Sequence, residues 1–209
     1  MKKRIKKIEK YIIIKILFFL PKLAYKFYKH RLISDKAFVK FQYKSVFGKD
    51  LNLNKPISFT EKIQWLKLYD RNPLYTLCAD KFKVRDFVAQ KIGKEYLIPL
   101  IYSTDDPNTI AFDNLPSQYI IKTNHTSGYN MICKDKKIYF FDYVNDFNEK
   151  KVKKILTKWL KKNVFYQNRE WEYKNIPPKV VIEELLSDDI NNEVLNDYKI
   201  HCFNGKPEF

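Results

Sequence analysis

Residues 118–134 read QYIIKTNHTSGYNMICK and contain two apolar runs joined by a polar loop. Gln118–Thr123 has the length and composition of a β-strand, and the apolar pattern resumes at residues 131–134. Gly128 is the only glycine between Gly93 and Gly205, which indicates a loop that needs backbone freedom. The pattern predicts a strand–loop–strand flap with Lys122 at the end of the first strand. Amides and hydroxyls of such a loop can approach a phosphate, and a lysine adds a point charge.

The flap is not a P-loop, because it lacks the spaced glycines and the Gly-Lys-Ser/Thr ending. By itself it also fits an ordinary hairpin with a polar loop. Two acidic features favour a binding role. The stretch VVIEELL at 180–186 places Glu183 and Glu184 at the end of a buried strand, where carboxylates are rare unless paired or bound. Asp197 and Lys199 share one face of the next predicted strand, an acid for ribose hydroxyls beside a lysine for phosphate.

Helices are predicted ahead of the flap, over 34–46, from a capping box at Ser58 and Glu61 through Tyr69, and over 81–92 with Asp80 as its cap. Ile63 and Leu66, with Trp65 as a further candidate, are expected to face inward in the second of these. Strands are predicted over 96–102, 180–182 and 198–203. An amphipathic helix is predicted over 149–162. Helices followed by strands with one intervening helix indicate an α+β fold.

The net charge of +16 is concentrated at the amino terminus. Residues 1–44 contain fourteen Lys or Arg and two acidic residues, whereas the rest contains 26 and 22. The apolar run at 11–20, YIIIKILFFL, is shorter than the roughly 20 residues that span a bilayer. We predict a basic amphipathic helix or arm over 1–34 that lies on the anionic inner leaflet; the alternative is a helix packed on its own domain. The membrane-surface residues are Lys2, Lys3, Arg4, Lys6, Lys7, Lys10, Lys15 and Lys22.

The sequence disfavours a cysteine-based site and a nucleic-acid-binding function. The three cysteines, Cys78, Cys133 and Cys202, lie far apart and fit neither a disulfide framework nor a zinc site. A nucleic-acid-binding protein is the third functional hypothesis because of the pI near 9.5. It lacks a recognition motif, and the body beyond the arm is nearly neutral, so no nucleic-acid partner is expected.

Five segments together resemble the TupA-like ATP-grasp family: SFTEKIQWLKLYDRNPLY at 58–75, DKFKVRDFVAQKIG at 80–93, the flap, REWEYKNIPPKVVIEELL at 169–186 and DYKIHCFNGKP at 197–207. The resemblance covers residues 35–209. It implies an ATP-grasp-like fold, with a helical part and a short strand over 35–116 and a partial, antiparallel nucleotide-binding domain over 117–209. That family is linked to teichuronopeptide and other surface-polysaccharide synthesis, and its members are often labelled glycosyltransferases.

The resemblance also implies roles for single residues. Lys122 would contact the α- and β-phosphates, and Lys81 is a possible further phosphate-side lysine. Glu183 would face the adenine amino group. Asp197 would bind the ribose, and Lys199 would reach the phosphates. The remaining ATP-binding residues are those of the flap and the hinge: Asn124, His125, Thr126, Ser127, Gly128, Glu184, Leu185 and Leu186. His125 is expected to be a loop donor rather than a catalytic base.

This chain departs from the family at two places. Thr126 stands where the flap usually has a glycine, which predicts a stiffer loop. The chain stops at Phe209, ahead of the strands that carry the Mg²⁺ ligands of ATP-grasp proteins, so no metal ligand is expected in these 209 residues. We expect a truncated product of a longer protein, which would use Mg²⁺, or else a degenerate nucleotide binder.

The leading functional hypothesis is an ATP-dependent enzyme that joins a carboxylate to an amine on a glycan or its precursor, at the cytoplasmic face of the membrane. The second is a membrane-associated glycosyltransferase that uses a nucleotide-sugar. The Asp-any-Asp motif typical of such enzymes is absent from the sequence. The sequence leaves the catalytic residues, the acceptor and the oligomeric state open.

Overall fold

A computed structural model describes residues 33–140, 143–186, 198–203 and 205–208. The eight basic residues predicted at the membrane surface, from Lys2 to Lys22, lie outside the described residues. The same holds for residues 187–197, which include Asp197.

Helices form the first part of the described chain. They are α1 (Asp35–Phe47), α2 (Phe59–Tyr69), α3 (Pro73–Ala79) and α4 (Val84–Lys91). Ser34 caps α1 by accepting from the amide of Ala37, and Gly48 ends it with a φ of 68°. At α2 the predicted capping box is present, because Ser58 and Glu61 each accept from the other's backbone amide. Local capping chemistry therefore explains where α1 and α2 begin.

Three expectations about the helical part were wrong. The helix predicted over 81–92 begins at Val84, because Asp80 Oδ1 accepts from the amides of Phe82 and Lys83 and holds a turn there. Leu66 and Trp65 do not face inward; they are 42% and 39% exposed. Helix α3 was not predicted, since Asn72-Pro73 was interpreted only as a break. A proline in the first turn starts a helix as readily as it ends one, and Asn72 caps α3 through the amide of Leu74.

A six-stranded antiparallel sheet follows, in the order β1-β6-β2-β3-β4-β5. Its strands are β1 (Leu100–Thr104), β2 (Gln118–Thr123), β3 (Asn130–Lys134), β4 (Lys137–Phe140), β5 (Tyr143–Asp146) and β6 (Val180–Glu184). Helices α5 (Glu149–Leu160) and α6 (Phe165–Asn168) lie between β5 and β6. A separate hairpin pairs β7 (Cys202–Phe203) with β8 (Lys206–Pro207). The α+β prediction is confirmed.

The sheet differs from the sequence prediction at its edges. The strand expected over 96–102 forms at Leu100–Thr104, because residues 94–96 form a 3₁₀ turn. The strand expected over 198–203 pairs only at its last two residues. Strands β4 and β5 were not predicted. The turn into β4 places Asp135 and Lys136 at φ 51° and 59°, and positive φ at both positions normally signals Asn-Gly or Asp-Gly in a sequence.

The two faces of the sheet have different surroundings. On one face, side chains of β2, β3 and β6 pack against Val152, Leu156 and Trp159 of α5, and this is the main core. A second cluster around Val39 and Tyr43 stabilises the helical part. Because side chains alternate along a strand, the residues between those of the main core project from the opposite face, where the candidate site lies.

Candidate functional site

The base of the flap is fixed by buried polar side chains. Asn124 is 1% exposed; its amide nitrogen donates to Asp80 Oδ1 at 2.9 Å and to the Pro177 carbonyl at 3.0 Å. Its Oδ1 accepts from the amide of Lys179 at 2.7 Å. The hydroxyls of Thr123 and Thr126 are hydrogen-bonded to each other. Thr126 therefore ties the loop to its own strand.

His125 is also buried and lies away from solvent. Its Nε2 donates to the Lys162 carbonyl at 3.1 Å, and its Nδ1 lies 3.2 Å from Asn124 Oδ1. Burial lowers the pKa of His125 below its ordinary value of 6.5. The exposed tip of the flap is limited to Ser127 and Gly128, and Gly128 has a φ of 77° that a side chain would oppose. Of the predicted loop residues, these two are the ones open to a ligand.

Two cationic side chains contact one buried carboxylate beside the flap, and a third cation contacts the flap itself. Lys122 Nζ lies 2.8 Å from Glu183 Oε2, and Arg85 Nη1 lies 2.7 Å from Glu183 Oε1. Arg85 also donates to the Ile98 carbonyl at 2.6 Å. Lys81 donates through Nζ to the Thr126 carbonyl. Helix α4, the turn before it, β2 and β6 each contribute to this cationic cluster, defined here as Lys81, Arg85, Lys122 and Glu183.

The cluster carries more positive charge than its carboxylate neutralises. Burial, and then the charge of Lys122, lower the pKa of Lys81. The charges of Asp80 and of Glu183 oppose this lowering of the Lys81 pKa, so the three cations have two carboxylates nearby. Crowded, partly desolvated ammonium groups attract an anion more strongly than exposed ones do. The arrangement is therefore suited to binding a multiply charged anion.

The face of the sheet next to the cluster is apolar and partly open. The strand register places Leu100, Glu183, Ile120, Ile132, Tyr139 and Val144 in one row across all six strands. Leu100 and Tyr139 are each 37% exposed, and Val144 is 57% exposed. Such a row offers a flat apolar ring a surface to lie on, one to two strands from the cations.

A family model described as TupA-like ATPgrasp matches residues 61–209. The chain belongs to the TupA-like ATP-grasp family. The matched residues include every member of the cationic cluster and the whole flap. A search of the curated proteins and a search of the solved structures gave no match.

Four other residues that the ATP-grasp resemblance assigned lie in the hinge and ahead of β7. Glu184 projects from the face opposite Glu183 and is exposed, as is Leu186, while Leu185 is half-buried. Lys199 lies in the exposed segment ahead of β7. Their predicted contacts with a nucleotide stay predictions. The structure brings together Lys81, Lys122 and Glu183, of which Lys81 was the least firmly assigned from the sequence.

Arg85 was not among the predicted site residues. In the sequence, Arg85 is spaced with Phe82, Val88 and Ala89 so that all four would lie on one face of a helix. A permanent charge on the otherwise apolar face of an amphipathic helix is the signal that would have found it, because such a charge needs a buried partner. The partner, Glu183, is 98 residues away in the sequence. The sequence therefore indicates that Arg85 needs a buried partner, but it does not identify Glu183 as that partner.

A groove of about 700 Å³ lies at the other end of the β2–β3 hairpin. Phe112, Leu115, Tyr119, Cys133 and Phe147 line it, together with the turn into β4. It contains none of the predicted ATP-binding residues. The candidate site is placed at the cationic cluster instead, because that cluster adjoins the flap.

Two further findings concern the described part of the chain. It contains no group of three or more His, Cys, Asp or Glu side chains that could hold a metal ion. None of its helices has the length and apolarity needed to cross a membrane.

Proposed function

We propose that the chain binds ATP over the open face of its sheet, with the triphosphate at Lys81 and Lys122. The observation that carries this proposal is the convergence of Lys81, Lys122 and Arg85 beside the flap. A triphosphate would neutralise the two lysines, and burial together with the charge of Lys122 disfavours the charged form of Lys81. The exposed tip, Ser127 and Gly128, would cover the phosphates with its amides.

Glu183 acts in this proposal as the counter-ion of the unliganded site. Lys122 would turn from Glu183 to the phosphates when ATP binds. Arg85 would then remain as the partner of Glu183 and prevent a buried carboxylate from being left unpaired, which is costly. The ring of the nucleotide would lie toward the apolar row and toward the hinge at Leu185 and Leu186. These two residues come after Glu183 and Glu184 in the chain. Asp197 and Lys199 would bind the ribose and the phosphates, as the resemblance implies.

ATP-grasp proteins generally bind ATP together with Mg²⁺. Mg²⁺ is bound by carboxylate oxygens and phosphates. Among the described residues no group of three or more His, Cys, Asp or Glu side chains that could hold a metal ion occurs. The binding proposed for this chain depends on its cationic side chains.

For the wider role, we propose cell-surface polysaccharide biosynthesis with ATP-dependent ligation of a carboxylate and an amine on a glycan or its precursor. The family membership supports this role. Attachment at the inner face of the cytoplasmic membrane through the basic arm is proposed on the charge of residues 1–32. Each basic side chain near an anionic leaflet contributes about 1 kcal/mol.

The proposal is tested by calorimetric titration of the full chain with a nonhydrolysable ATP analogue and with a UDP-sugar. Lys122→Ala should weaken binding of the ATP analogue at least about tenfold, equivalent to about 1.4 kcal/mol. Lys137→Ala, an exposed lysine of β4, is the matched control and should leave the affinity unchanged. Equal affinities of the two variants, or tighter binding of the UDP-sugar than of the ATP analogue, would contradict the proposal.

A further inference from the structure

The solvent face of α5 carries a stripe of lysines. Five exposed lysines, Lys150, Lys151, Lys154, Lys158 and Lys161, follow the helix through its carboxyl end. At about 100° per residue they fall within roughly a third of the circumference, and from first to last they span about 16 Å. Val152, Leu156 and Trp159 of the same helix are buried in the core, which orients the lysine stripe outward.

The stripe is not neutralised by acids of its own helix. Glu149 is the one acidic residue of α5, and it is paired with Lys153, which lies beside the stripe. Helix propensity does not require lysine at these positions, since glutamate and glutamine form helices about as well. Five like charges on one short face repel each other, and a surface of opposite charge would remove that cost.

The first described residues pack against α6, which follows α5 in the chain. Ile33, the first described residue, packs with the cluster that includes Tyr166. Asp35 Oδ1 lies 2.8 Å from Arg169 Nε, so the start of α1 is held against α6. Lys161 ends the stripe four residues ahead of Phe165, where α6 begins. The described chain therefore begins beside α6, a helix that starts four residues after the end of the lysine stripe.

We propose that the lysine stripe of α5 is a docking surface for an anionic phospholipid bilayer and acts together with the arm. Charge complementarity alone would also admit a soluble polyanion. The arm decides for lipid, because its apolar run at 11–20 would be buried in a bilayer and exposed on a nucleic acid. The inference extends the proposed attachment through the arm and orients the body on the membrane, with α5 against the lipid.

The test is co-sedimentation of the full chain with phosphatidylcholine vesicles that contain or lack phosphatidylserine. The stripe variant changes Lys150, Lys154, Lys158 and Lys161 to Gln, a residue that preserves helix propensity. The control variant changes the exposed lysines Lys49, Lys55, Lys62 and Lys94 to Gln and removes the same charge. The stripe variant should lose at least about tenfold in partitioning to phosphatidylserine vesicles, and the control variant less than about threefold.

Equal losses in the two variants would overturn the inference, as would binding to vesicles that lack phosphatidylserine. Loss of single-stranded RNA binding in the stripe variant, with vesicle binding intact, would also overturn it in favour of a nucleic acid. An arm variant with Lys2, Lys3, Lys6 and Lys7 changed to Gln separates the two attachments. If it alone loses vesicle binding, the arm proposal stands and the stripe does not. Affinity for the ATP analogue, unchanged in all three variants, verifies folding independently of lipid.

Discussion

Glu183 is the residue on which the site depends electrostatically. Its side chain is 8% exposed and both oxygens are occupied, one by Lys122 and one by Arg85. Removing one partner of a buried ion pair typically costs about 3–5 kcal/mol, because the other charge remains buried and unpaired. Here a second cation remains, so the cost should be smaller. In the proposed binding mode, Arg85 would hold the carboxylate while Lys122 turns to the ligand.

Arg85→Leu should lower the free energy of unfolding by about 2 kcal/mol, measured by urea denaturation. In a Glu183→Gln background the same change should cost at least about 1 kcal/mol less, because no buried charge is left unpaired. The exposed pair Lys44–Asp50, with nitrogen and oxygen 2.9 Å apart, gives the control: Lys44→Leu should change stability by less than about 0.5 kcal/mol. A cost for Arg85→Leu that is the same in both backgrounds would exclude a stabilising Arg85–Glu183 interaction.

Among the elements, α2 shows how a short motif sets a boundary. Glu61 Oε2 accepts from the amides of Ile57 and Ser58, each at 3.0 Å, and Ser58 Oγ accepts from the amide of Glu61 at 3.3 Å. These backbone hydrogen bonds lower the pKa of the Glu61 carboxyl. Helix α2 buries little apolar surface of its own, so its amino-terminal cap is a large share of what holds it in place.

Ser58→Ala should therefore destabilise the protein by about 1 kcal/mol, seen as a lower midpoint in urea. Ser45→Ala provides the comparison, since the Ser45 hydroxyl donates to the Gln42 carbonyl near the end of α1 and caps no amide. It should have an effect below about 0.5 kcal/mol. The capping interpretation would be rejected if the two serines proved equally important.

For the whole molecule, His125 connects the flap to the segment after α5. Burial lowers its pKa in the folded chain, so the folded state holds fewer protons than the unfolded state below the ordinary value of 6.5. Its contribution to stability is complete above about pH 6.5 and is lost as the pH falls toward the folded-state pKa. Acid should therefore weaken the contact between the flap and the segment after α5.

The free energy of unfolding, measured from about pH 8 to about pH 5, should fall below pH 6.5 with a slope of up to about 1.4 kcal/mol per pH unit from this residue. His125→Asn should lower stability at every pH and flatten that slope. His201→Gln, at an exposed histidine, should keep it. A slope that survives in His125→Asn would assign the acid sensitivity to other groups.

Patterns local in the chain were sufficient for much of the fold. The capping box at Ser58, the alternation of Gln118–Thr123 and the helical period around Trp159 each predicted an element that the structure contains, because each depends on neighbours within one or two turns. Prediction failed where distant partners decide. Leu66 and Trp65 are large apolar residues of the kind that is usually buried, but no element of the described chain covers them. Strands β4 and β5 form because a turn without glycine is stabilised by pairing on both sides.

Within the site the same division holds. Lys122 could be identified from its place at the end of an apolar strand, and Glu183 from a carboxylate in a buried run. Their contact with each other, and the position of Arg85 and Lys81 beside them, depends on strand register and on the position of α4, over separations of 37 to 102 residues. Hydrophobic period and hydrogen-bonding capacity are properties of short segments and can be read along the chain. The charge environment of a buried group is a property of packing, and it exists only once the segments have met.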